Sequence, residues 1–104
     1  MASSLRNYTS TQTAAGTTQA TAAALIADAV MIVSLDAGAG VILPAANFND
    51  ERLVANGDTD AELFVYPPSG GKINNFTQDR AVAVAPGRAA RFVCVNNLNW
   101  IGLF

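Results

Sequence analysis

The chain predicts an all-β domain, a β-sandwich or small barrel, on three observations. Short β-branched and aromatic runs recur from residue 41 onward, at 41–43, 63–66, 81–84, 92–95 and 100–104. Turn formers stand between them: Pro44, Asn56-Gly57-Asp58, Pro67-Pro68-Ser69-Gly70-Gly71, Asn74-Asn75, Pro86-Gly87 and Asn96-Asn97. Regularly spaced short strands with such punctuation mark a sandwich or barrel. The 104 residues suffice for one domain with a single, modest core.

Residues 1–18 are rich in Ser, Thr and Ala, with Leu5 and Tyr8 as their main apolar side chains. They bury too little apolar surface to offset the entropy of ordering, so they read as a flexible N-terminal arm ahead of a single domain at 19–104. The arm either docks Leu5 and Tyr8 onto a neighbouring subunit or remains a loose leader. Within 19–35 the alanines favour a helix by propensity. The second half, AVMIVSL, is short and rich in Val and Ile, which favours strand, and no helix caps are present. Two strands are expected, 19–26 and 29–35, joined at Ala27-Asp28. Residues 36–40 then form a glycine turn into 41–43, closing a hairpin.

The segment after Pro44 reads as a polar loop with one helical turn at 49–52. Residues 51–56, a turn at 56–60 and a partner strand at 61–66 make a hairpin, ended by Pro67-Pro68. Residues 72–73 are a short strand, 81–85 and 89–95 a second hairpin around Pro86-Gly87, and 100–104 the last strand. In 88–95, Phe92 and Cys94 fall on one face and Arg91, Val93 and Val95 on the other. Both faces are partly apolar, so this strand is either central or meets another subunit.

Composition excludes several functions. The net charge of −2 and six scattered Lys and Arg residues give nothing to neutralise adjacent phosphates. The most apolar run, 20–35, is interrupted by Asp28 and is too short to span a bilayer. The N-terminal segment lacks the charged and apolar regions of a signal peptide. No nucleic acid and no membrane are expected as partners. Hydrophobic residues make up 51% of the chain and charged ones only 13%, so part of the surface is expected to be covered by a partner or a copy of itself.

Catalysis is not expected either. Histidine is absent, which removes the commonest general base and metal ligand and leaves Cys94 without an activating imidazole. Cys94 reads as a small core hydrophobe, with an intermolecular disulfide as the sharper alternative. Ser69-Gly70-Gly71-Lys72 lacks the spacing, the following Ser/Thr and the helix of a phosphate loop. Asp58, Asp60 and Glu62 alternate and offer oxygen ligands to calcium, but a solvated turn is the better reading. Trp100, Phe104, Phe64 and Tyr66 suggest a sugar-stacking platform, with core packing preferred. No catalytic, cofactor-binding or metal residue is assigned.

Several stretches carry a resemblance. They are Gly16-Thr-Thr-Gln-Ala-Thr21, Gly40-Val-Ile-Leu-Pro-Ala45, Leu53-Val-Ala-Asn-Gly57, the Ala89-Arg-Phe-Val-Cys94 strand and Asn99-Trp-Ile101. The most specific is Val65-Tyr-Pro-Pro-Ser-Gly-Gly-Lys-Ile-Asn74. Together the chain resembles small virion proteins of tailed bacteriophages, namely head decoration (cement) proteins and related fibre-tip modules. The resemblance implies a jelly-roll-like antiparallel β-sandwich that forms a homo-oligomer, a trimer in preference to a dimer, on the capsid exterior. It implies the major capsid protein as partner, bridged and stabilised by the decoration protein, and synthesis in the bacterial host cytoplasm. The alternative it leaves open is a tail or fibre-tip module recognising a host-surface ligand. Expected partner contacts are Leu5, Arg6 and Tyr8 of the arm and the loops at Phe48 and Phe76.

Overall fold

A computed structural model of the chain describes residues 10–34 and 36–104. These contain nine strands and no helix: β1 (Ser10–Thr13), β2 (Ala23–Ala24), β3 (Ala29–Ser34), β4 (Gly40–Ile42), β5 (Glu51–Asn56), β6 (Leu63–Tyr66), β7 (Val82–Val84), β8 (Ala89–Asn96) and β9 (Asn99–Leu103). They make two mixed sheets, ordered β1-β3-β5-β8-β9 and β2-β4-β6-β7. Alternation along each strand sends one set of side chains inward. Val30, Ile32, Val54, Phe92, Cys94 and Trp100 from the larger sheet share a single core with Val41, Leu63, Val65, Val82 and Val84 from the smaller. Each large side chain so buried contributes roughly 1.5–3 kcal/mol.

The all-β expectation holds, but the expected antiparallel order does not. Four of the seven strand pairings are parallel: β1 with β3, β3 with β5, β2 with β4 and β4 with β6. Only β5–β8, β6–β7 and β8–β9 are antiparallel. From β1 to β6 the chain crosses to the opposite sheet at every step, so Ser10 lies beside Val30 and Val30 beside Val54. Each visit to one sheet serves as the crossover that parallel neighbours in the other require.

Three expected hairpins are therefore corners between sheets. Strands β3 and β4, β5 and β6, and β7 and β8 each lie in different sheets. The reason is visible at Asn56. Its side chain is buried, donating from Nδ2 to the carbonyls of Ala61 (2.9 Å) and Val84 (3.0 Å). Its Oδ1 accepts the Asp58 N–H at 3.0 Å, and its backbone bonds Gly87 and Arg88. One asparagine thus laces two corners together, where a hairpin would have turned the strands back on themselves. The final turn is a true hairpin, β8 to β9.

Other expectations shift at the ends of elements. Residues 19–26 contribute only the two-residue β2, because Thr18 and Thr21 close a tight turn there through the Thr21 N–H and hydroxyl. Ser10–Thr13, assigned to the arm, form β1 along β3, with Gln12 donating to Ala24 O (2.7 Å) and accepting from Ile26 N (3.1 Å). The helical turn at 49–52 is absent. Asn49 takes a left-handed φ of 73°, its N–H bonds Cys94 O, and Glu51 already begins β5. The strand at 72–73 reduces to a bridge of Ile73 to Trp100.

Candidate interaction surface

The five-stranded sheet has one face in the core and one outside. In β3, Val30 and Ile32 are buried whereas Met31 and Val33 are exposed. In β9, Trp100 is buried while Ile101 is 48% and Leu103 62% exposed. Register aligns these outward positions into rows. Thr11, Met31, Ala55 and Ala89 lie side by side, then Leu53, Arg91 and Leu103, then Glu51, Val93 and Ile101. Val95, at the end of β8, is exposed too. The charged members are Glu51 and Arg91, and they pair with each other at 3.8 Å. Among the described residues, five of the eight exposed large hydrophobics (Met31, Val33, Val95, Ile101 and Leu103) lie on this one face. An apolar sheet face of this kind is a candidate interaction surface.

Among the described residues the remaining charges sit at corners and strand ends. Arg52 pairs with Asp28 at 3.4 Å and lies 6.0 Å from the centre of the Trp100 ring, closing that end of the core. Asp79 Oδ1 accepts from Gln19 Nε2 (2.9 Å) and Gly70 N (2.7 Å), tying three loops. Those hydrogen bonds, Gln19 first, hold its carboxyl below the usual range. The Gly70 N–H that a phosphate loop would aim at an anion is thereby occupied. Asp58 is held low in the same way by the N–H groups of Ala61 and Asp60. Among the described residues no group of acidic or thiol side chains converges to hold a metal.

The expected contact residues fall in different settings. Leu5, Arg6 and Tyr8 lie outside the described residues. Phe48 is 77% exposed, on a loop pinned to the end of β8 through Asn49 N to Cys94 O and Ala46 N to Asn97 O. Phe76 is half-buried against the core, with the Arg80 guanidinium 4.8 Å from its ring centre. The four aromatics considered as a platform are not on one surface. Trp100 is in the core with Nε1 donating to Pro44 O, and Phe64 and Tyr66 alternate out from Leu63 and Val65 in the other sheet. Cys94 is fully buried, and burial, then the nearby Asp50 charge, push its thiol pKa up. That places it beyond reach of a disulfide with another folded copy. A cleft of about 400 Å³ opens between β7 and Phe104, lined by Ala83, Val84, Ala85, Arg88 and Ala89.

The sequence motif of the resemblance lies at a structural corner. Pro67 and Pro68 are buried, Ile73 enters the core, and Asn74 exchanges hydrogen bonds with Gly102 on both its N–H and its carbonyl. Residues 72–74 thereby cover the outer edge of β9. Sequence reasoning singled out this corner and missed the apolar face, although the two-sided apolarity of β8 was its signal. A scan of the chain against family models finds no match, and searches of curated proteins and of solved structures find none. No helix among the described residues is long and apolar enough to cross a membrane.

Proposed function

We propose that this chain is a structural protein of the bacteriophage virion, a head decoration (cement) protein that bridges major capsid subunits on the capsid exterior. The observation that carries the proposal is the apolar outer face of the five-stranded sheet, a surface built to be covered. The resemblance at residues 65–74 supports the phage assignment. A compact β domain measuring 33 × 29 × 20 Å suits a role that needs rigidity and several contacts in place of a reaction centre. In this reading the sheet face joins subunits, and Phe48 with the arm residues Leu5, Arg6 and Tyr8 meets the shell. Weak contacts become strong when one assembly engages several lattice sites together.

The reading is tested by adding purified protein to expanded heads that lack it, then pelleting the heads. Saturable co-sedimentation, with greater resistance of the heads to heat, is the expected result. Protein left in the supernatant at all concentrations contradicts it, and binding confined to tails favours the fibre-tip alternative.

A further inference from the structure

Strand β3 reads Ala29-Val-Met-Ile-Val33, apolar without interruption. Such runs belong to parallel strands covered on both faces. Here β3 is parallel to both its neighbours, yet among the described residues only the face bearing Val30 and Ile32 is covered. Met31 and Val33, with Ile101 and Leu103 three strands away, stay exposed. We infer that a second copy of this chain covers this face, sheet against sheet, in a two-fold dimer. The inference rests on reading the face as an assembly surface and names its occupant.

Charge, area and geometry select that occupant. The face carries one acid and one base, and Glu51 and Arg91 already neutralise each other. It therefore offers nothing to a strongly charged partner, while an identical face opposes it without repulsion. Covering a formed ion pair also avoids burying a lone charge. Five strands spaced about 4.8 Å apart, each about five residues long, give a face on the order of 400 Å² in plan. With protruding side chains counted on both copies, contact buries on the order of 1,000 Å², the threshold at which specific interfaces begin. Growth of the sheet past β9 is blocked, because residues 72–74 occupy that edge. Packed face to face, the strands of the two sheets lie aligned within about 30° or crossed. A patch that meets its own copy across a two-fold axis is used up on both, so the closed unit is a dimer and not a trimer.

The test is the solution mass of the full chain by light scattering, across micromolar to submillimolar concentrations. Wild type is expected to be a dimer. Ile101→Lys and Met31→Lys, at well-separated points of the face, are each expected to weaken dimerisation at least tenfold with the β-sheet circular dichroism retained. Phe48→Ser, off the face, is expected to leave the dimer intact. Two variants guard against one simply misfolding. A dimer that persists in both lysine variants overturns the inference, since another surface then holds it. A monomeric wild type overturns it as well, and head binding then separates the two readings. Loss of head binding in Ile101→Lys keeps the face as an assembly surface with a different occupant, whereas unchanged binding removes the face as the assembly surface and leaves head binding to another part of the molecule.

Discussion

Asn56 shows how one polar side chain decides a connection. Its carboxamide is buried and satisfies Ala61 O, Val84 O and Asp58 N at once. Replacing it by alanine strands those groups away from water, at about 1–3 kcal/mol for each group left unpaired. Urea denaturation of Asn56→Ala is expected to show a loss on the order of 3 kcal/mol. An unchanged midpoint would mean the corner holds without it. The exposed aspartates make a smaller and pH-dependent contribution. Asp58 and Asp79 both titrate below 3.8 when folded, so each releases its proton more readily than in the unfolded chain. Their stabilisation is complete above the unfolded value and is lost as pH falls through the folded one. The melting temperature is expected to be flat near neutrality and to drop below about pH 4. Asp79→Asn should shallow that drop, and an identical pH profile in the variant would count against the Gln19 and Gly70 contacts.

At the scale of elements, the longer strands from residue 51 onward were legible, whereas β1, the short β2 and the strand partners were not. Residues 51–56, predicted as a strand, are β5 to the residue; 89–95 falls one residue short of the end of β8, and 100–104 is shifted by one residue from β9. Alternation and β-branched runs carry that information locally. Pairing does not, because Asn56-Gly57-Asp58 and Pro86-Gly87 reverse the chain whether the next strand lies beside the last or across the core. Both flanking strands send apolar residues inward in either case, Val54 and Leu63 at one corner, Val84 and Ala90 at the other. The candidate surface was half legible. Val93 and Val95 on the face of β8 opposite Phe92 signalled a second covered side, but only register adds Met31 and Leu103 to the same patch. The corner at 67–74 is specified more tightly. A Cβ on Gly71 would run into the Leu98 carbonyl, so the loop and the β8–β9 turn fit only with glycine there. Gly71→Ala is expected to destabilise by about 1–3 kcal/mol, read by thermal or chemical denaturation. A neutral result would show that the Leu98 turn yields freely.

For the whole molecule, two sheets share one core, and the outer face of the larger sheet exposes large apolar side chains around a single ion pair. The chain's low charge acquires a location through this arrangement. Charged side chains occupy corners and strand ends, as at Asp28–Arg52 and around Asp79, and leave Glu51 and Arg91 alone on the sheet face. An apolar sheet face with so little charge on it supports the proposed virion structural role. Gold-labelled antibody against the chain, applied to intact virions and viewed by electron microscopy, tests that role most directly. The account predicts label distributed over the head. Label restricted to the tail, or no label on the particle, would contradict it.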